Sequence, residues 1–459
     1  MKKKLLAAAL AAAMAASLMA CGGSSSASSS DAPAQGEATE ATEATEATEA
    51  TEATEATEAT EATDTAAASG EGIRLLNGKP EIHDQLTELA AKYKEETGKV
   101  VNIETIGGDT NASDELKKMY QADNMPDIFV IEANQAANWD GLLADLTGEA
   151  WTNDTDYELV DSKMGTIGFP YTVEATALAY NAEILEKAGV DPATLTSPAA
   201  WTAAVEKIDG MKDELGITAV FGWCAEPANL GWSSGTHVFA QYLDAGLAQD
   251  DTTYIDLLND GGKIDEARMN NFAAFIGMMN KYSDPALLVD GTYDNQVAGF
   301  AAGKYAFVTQ GNWINGAVIG SADYTGWKMG FAPYAFEDGI DTIIAGPPSF
   351  WTVYSEGKVD EAKAFLQWVS DDSAQDILVN KANLISPFND CKYTAADPFA
   401  ESIMSYMSAG KTSGWHTMLK KDGLQNKTCQ VFAEYAKGTM DQAQFVSTMA
   451  QVISSYYNQ

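Results

Sequence analysis

The sequence predicts an α/β layer fold over residues 73–459, and three observations predict it. Short apolar runs alternate with stretches of helical period. One apolar run is continuous enough for a strand covered on both faces. No Pro- or Gly-rich linker and no internal repeat divides the segment, so two lobes, if present, must share the chain through several crossings.

The elements follow in order. Residues 73–77 read as a strand. Pro80 opens a helix in which Ile82, Leu86, Leu89, Ala90 and Tyr93 share one face, closed by Gly98. Val101, Ile103 and Thr105 alternate as a second strand. After another helix, residues 127–131 form the apolar run of a buried parallel strand. Loops at the carboxyl ends of such strands are open to a ligand. Further on, Ser197-Pro198 caps a helix bearing Trp201 and Val205, and residues 217–221 and 305–308 are strand-like. Residues 272–279, 362–369 and 440–456 have helical pattern.

The first 72 residues read differently. Lys2, Lys3 and Lys4 precede an apolar run over residues 5–19 that is too short to span a bilayer, the pattern of a signal peptide over residues 1–20. Its end, Leu18-Met19-Ala20-Cys21, resembles the lipobox of bacterial lipoproteins. The resemblance implies a diacylglycerol on Cys21 and anchoring at the outer face of the cell membrane, with the lipid as the sole membrane contact. Residues 21–72 hold nine consecutive Glu-Ala-Thr triplets from Glu37 to Thr63. In a helix their i,i+3 spacing would stack like charges with no base to offset them, and no apolar face exists to bury. An extended acidic tether is expected, reaching at most roughly 170–180 Å.

The chain total is −38. Removing the three N-terminal lysines and the twelve linker acids leaves −29 on residues 73–459. Such a surface argues against nucleic acid and against adhesion to anionic lipid. Besides Cys21 the chain has Cys224, Cys391 and Cys429. Outside the cytoplasm a Cys391–Cys429 disulfide is open, as is no disulfide at all. His83, His237 and His416 are scattered, and no Cys/His spacing suggests a metal. No cofactor is expected.

Several segments carry a family resemblance. Met125-Pro126-Asp127-Ile128-Phe129 precedes Gly141-Leu142-Leu143-Ala144-Asp145-Leu146. Phe169-Pro170-Tyr171-Thr172-Val173-Glu174-Ala175 is followed by Ala179-Tyr180-Asn181. Gly303-Lys304-Tyr305-Ala306-Phe307 leads to Gly311-Asn312-Trp313, and Ala362-Lys363-Ala364-Phe365-Leu366-Gln367-Trp368-Val369 comes later. In this order they resemble extracellular solute-binding proteins of carbohydrate ABC transporters, the maltose-binding-protein-like group. The resemblance implies a type II periplasmic-binding-protein-like fold, with sheets flanked by helices. The first lobe would take about 73–173 and 331–386, the second about 174–330 and 387–459. It also implies a monomer that closes on a sugar and docks on membrane permease subunits. Ile131, Ala133 and Ala228 replace aromatic or charged residues of that group, which speaks against maltodextrin itself.

Sugars present apolar C–H faces and hydroxyl rims, so they suit flat aromatic rings with a few carboxylates and amides. Trp201 and Trp368 lie in amphipathic helices and Trp139, Trp151 and Trp327 read as packing. Trp232, Trp313, Trp351 and Trp415 lie among Gly, Ser and Asn, where an exposed ring is easier to place. Trp313 leads, because the resembled signature carries a stacking tryptophan there. Phe350 and Trp351 follow Gly346-Pro347-Pro348, and alternation points one of them inward. Tyr171 and Glu174 sit on the crossing. Asn77, Lys79 and Glu81, then Asp109 and Asn111, then Glu132 and Asn134, border three successive strand–helix loops, and Glu226 weakly resembles a cleft acid of the group.

Two other readings remain. The same fold could hold a polyamine, since acids and rings also suit an alkylammonium. Gly231-Trp232-Ser233-Ser234-Gly235 fits the G-x-S-x-G pattern of serine hydrolases, but that motif needs a strand directly before it. Residues 224–230 read as a loop, and Ser233 and Ser234 as helix caps. Gly410-Lys411-Thr412 lacks the first glycine of a phosphate loop.

Overall fold

The computed structural model of the protein describes residues 71–106 and 112–459. Cys21, the signal-like segment, the acidic repeat, Asp109 and Asn111 lie outside the described residues.

Strands form where the apolar runs are, and burial orders them. β1 (Ile73–Asn77), β2 (Val101–Thr105) and β3 (Ile128–Ile131) pair in parallel, with β1 between the other two. All four residues of β3 are buried, as a strand covered on both faces requires. The sheet continues β3-β12-β5-β4, where β12 is Phe350–Val353, β5 is Gly165–Pro170 and β4 is Leu159–Asp161, each pairing antiparallel. Pro80 opens a short 3-10 turn, Pro80–Ile82, rather than the α-helix itself, which runs His83–Thr97. Its buried face presents Leu86, Leu89, Ala90 and Tyr93, and Gly98 ends it at φ +75°, a backbone state that favours glycine. Tyr93 meets Phe365 at 5.1 Å and Trp368 at 5.0 Å on helix Val359–Val369. Trp351 lies nearly parallel to Tyr171 at 4.7 Å and to Phe169 at 6.2 Å.

The second lobe is built on the sheet β10-β7-β9-β8: Met329–Ala332, Leu178–Asn181, Tyr305–Val308 and Ala219–Gly222. Ser197 caps helix Pro198–Gly210 by accepting from the Ala200 N–H. That helix buries Trp201 against Phe307 and Phe275, and the indole N–H donates to the Pro333 carbonyl at 3.0 Å. Helix Glu266–Lys281 covers the expected 272–279, and Gln442–Tyr457 accounts for the C-terminal pattern.

A third, small sheet sits at the junction. β6 (Glu174–Thr176) pairs antiparallel with β11 (Ile343–Gly346), which also pairs with β13 (Thr412–Ser413). β6 follows the outgoing crossing at 171–173, and β11 precedes the return at 347–349. The return therefore falls later than residue 331. The reason is that β10 pairs with β7, and Phe331, Tyr334, Phe336 and Ile340 are buried in second-lobe clusters. Phe388, by contrast, packs on Phe169 in the first-lobe core at 5.4 Å, so that lobe reaches slightly past 386.

Cys224, Cys391 and Cys429 are free thiols, so the Cys391–Cys429 pairing is absent. Among the described residues no helix is long and apolar enough to cross a membrane.

Candidate functional site

A cleft of about 880 Å³ opens between the lobes. The first lobe contributes the loop after β1 with Lys79 and Glu81, the loop after β3 with Glu132 and Gln135, and Ser349 beside the return crossing. Tyr171 and Glu174 line it from the outgoing crossing. The second lobe supplies Trp232, His237, Tyr293, Trp313, Asn315 and Asp397.

The first loop is set by Asn77, which is fully buried. Its side-chain oxygen accepts from the Lys79 N–H at 3.0 Å and its amide donates to the Lys79 carbonyl at 2.6 Å, a local turn that aims Lys79 into the cleft. The ammonium donates to Glu174 Oε1 at 2.5 Å and to Glu81 Oε1 at 3.3 Å. Burial alone would lower the Lys79 pKa, but the Glu174 and Glu81 carboxylates outweigh it and hold the ammonium charged. Beside this pair the Tyr171 hydroxyl and Ser349 Oγ are 2.8 Å apart.

The opposite wall is aromatic. Helix Pro227–Trp232 widens into a π-helical segment, Ser233–Val238. Its looser turn brings Trp232, Thr236 and His237 together on the cleft face. Trp232 approaches Tyr293 at 5.9 Å, and His237 approaches Trp313 at 4.6 Å. Trp313 is held from behind. Its N–H donates to Gln310 Oε1 at 2.9 Å, and the Gln310 amide donates to Gln296 Oε1 at 2.7 Å. The Gln296 amide in turn donates to the Gly222 carbonyl and Thr309 Oγ1. The indole folds over Gly311, where a Cβ would come within 2.0 Å of the ring and 2.4 Å of the Ala175 carbonyl. Only glycine fits there.

Burial, with Lys420 and Lys79 adding to it, pushes the His237 pKa down to about 3, so the imidazole is neutral among the indoles. Burial raises Glu132 against the opposing pull of Lys420. Asp397 is pushed up to about 6 by burial, although the Phe399 N–H at 2.7 Å and the Asn312 amide at 3.2 Å both donate to it.

Of the residues singled out in the sequence, Lys79, Glu81, Glu132, Tyr171, Glu174, Trp232 and Trp313 line the cleft. Others stand outside its lining. Trp415 is buried behind Trp313, the rings 6.3 Å apart and 21° from parallel. Phe350 is buried on β12 over Gly168, and Trp351 is enclosed in the first-lobe core. Asn134 keeps its amide buried without a partner. Glu226 accepts from the Ala228 N–H at 2.6 Å, an end-of-helix role. His237, Tyr293, Asn315 and Asp397 were not singled out for the site, although His237 follows Trp232 by five residues and Asn315 follows Trp313 by two.

The G-x-S-x-G segment is not a nucleophile elbow. β8 ends at Gly222, and helix Pro227–Trp232 stands where the motif needs a strand. Ser233 and Ser234 do not cap a helix either. They lie inside the π-helical segment with buried, unpartnered hydroxyls, because the segment packs against helix Gln425–Ala436 so closely that a Cβ at Gly235 would meet the Gln425 carbonyl at 2.5 Å.

The two-lobed architecture is shared with solved structures. The chain is similar to the binding protein MsmE of Bacillus subtilis in an open conformation, with 18% identity over 86% of this chain and 98% of that one, at a TM-score of 0.66. A chitin oligosaccharide binding protein aligns with 16% identity over 84% and 99%, TM-score 0.68. The GacH receptor of Streptomyces glaucescens, solved unliganded and with acarbose, aligns with 18% identity over 84% and 97%, TM-score 0.64. No curated protein matches by sequence. A family model described as bacterial extracellular solute-binding protein matches residues 88–404. That span exceeds half of the chain, and the chain belongs to this family, whose members act outside the cytoplasm as binding proteins and not as enzymes.

Proposed function

We propose that this protein captures a carbohydrate between its lobes and presents it to the permease of an ABC importer, working as a monomer held to the membrane through a lipid on Cys21. The observation that carries the reading is the pairing of walls across the cleft. Trp313, Trp232 and Tyr293 offer ring faces from one lobe, while Glu81 and Glu132 offer directional polar groups from the other. A pyranose has one apolar face and a polar edge, and this arrangement matches both. Structural relatives named for chitin oligosaccharide and acarbose support it. A solute that touches both lobes favours the shut form by its differential contacts.

The test is a calorimetric panel of mono- and oligosaccharides, with spermidine alongside, combined with solution scattering. Expected is saturable binding of at least one glycan together with a fall in the radius of gyration. A panel in which spermidine alone binds would favour the polyamine reading, which the acidic lining supports. The anchor has its own expected result: the Cys21→Ser chain appears in the culture medium, and retention of that chain on the membrane would sink the lipid reading.

A further inference from the structure

Hydrogen-bonding capacity in the cleft is unbalanced. Four carboxylates line it, on Glu81, Glu132, Glu174 and Asp397, and the lining holds one ammonium and no guanidinium. That ammonium, on Lys79, is already taken up by Glu174 and Glu81. His237 stays neutral. Two carboxylates are left facing the cleft without a cation at ion-pair distance among the described residues, Glu132 on the first lobe and Asp397 on the second. Lys420, whose charge is felt at Glu132, directs its own hydrogen bond to the Thr417 carbonyl at 3.2 Å.

A second, independent observation points the same way. Asn315 is 5% exposed and lines the cleft, and its side-chain oxygen has no partner. A buried acceptor left unmade costs about 1–3 kcal/mol, so a donor from the solute belongs there. The carboxylates and this oxygen thus place acceptors on both lobes. A neutral sugar hydroxyl donates once and brings two lone pairs that need donors in return. An ammonium donates three times and accepts nothing. The indole and phenol faces of Trp313, Trp232 and Tyr293 accept positive charge as readily as C–H groups.

We propose that the solute is a short amino-sugar oligomer, its rings lying on the aromatic wall and its protonated amines held separately, by Glu132 on one lobe and by Asp397 on the other. This rests on the carbohydrate reading above and narrows it. A cleft of about 880 Å³ has room for more than a single ring.

The experiment titrates four solutes by calorimetry at low and at physiological salt: the glucosamine trimer, the N-acetylglucosamine trimer, maltotriose and spermidine. Wild type is compared with Glu132→Gln, and Asp397→Asn serves as the second variant should the first fold poorly. The glucosamine trimer is expected to bind about tenfold or more tighter than either neutral trimer, the worth of one hydrogen bond to a charged group. That margin shrinks as salt rises. Glu132→Gln loses about tenfold more affinity for the glucosamine trimer than for a neutral one. Equal or tighter binding of a neutral trimer overturns the amine while leaving the carbohydrate reading intact. Binding of spermidine alone overturns both, and binding of none of the four overturns the amino-sugar assignment.

Discussion

Lys79→Met is expected to lower the unfolding free energy by about 3–5 kcal/mol at neutral pH, the range found when one member of a buried ion pair is removed. The deletion strips Glu174, only 5% exposed, of its 2.5 Å partner. Burial already raises the Glu174 carboxyl, with Lys79 opposing that rise. Without the ammonium the rise is unopposed, and the folded variant ionises Glu174 at a higher pH than the unfolded chain does. A raised carboxyl destabilises the folded state once the pH exceeds the unfolded value. The deficit should therefore be largest near pH 7 and shrink as the pH falls through the folded value. Urea unfolding at several pH values measures this. Adding Glu174→Gln should restore much of the loss, because two neutral side chains replace the stranded charge. A loss under 1 kcal/mol at pH 7 would show that the pair is solvated rather than buried.

Trp313→Ala is expected to weaken solute binding by about 30-fold or more, as truncating a central aromatic anchor commonly costs about 2 kcal/mol. The effect should fall mainly on affinity. The ring is half-buried and faces the cleft, while Gln310, Gln296 and Gly311 hold it in one orientation before the solute arrives. Isothermal titration separates this from loss of fold if the melting temperature is read on the same sample. An unchanged dissociation constant across every bound glycan would remove Trp313 from the binding surface.

Much of the architecture was legible because local pattern and burial agree. The run at β3 is apolar at every position, and the structure covers it on both faces. Lys79 was legible because it borders the loop after the first apolar strand, and Glu174 because the family resemblance places it on the crossing. The tryptophans show where local reading stops. Trp313 and Trp415 sit in similar Gly-rich surroundings, yet the first lines the cleft and the second is packed behind it, a distinction made entirely by residues distant in sequence. At β12 alternation promised one inward and one outward ring, but neighbours on both faces bury Phe350 and Trp351 alike. His237 reaches the cleft through a π-helical turn, and Asp397 through a long connection. Neither leaves a periodic trace. The return crossing falls later than the family resemblance implies, because β10 pairs with β7, some 150 residues away, and a pairing over that distance leaves no local mark.

At the junction, β6 and β11 are neighbours tied rung by rung, Thr176 to Ile344, Ala175 to Ala345 and Glu174 to Gly346. β13 pairs on the far side of β11, and Val173 is bridged to Ile385 beside it, so any bending at the junction has to carry this small sheet and the neighbouring connection along together.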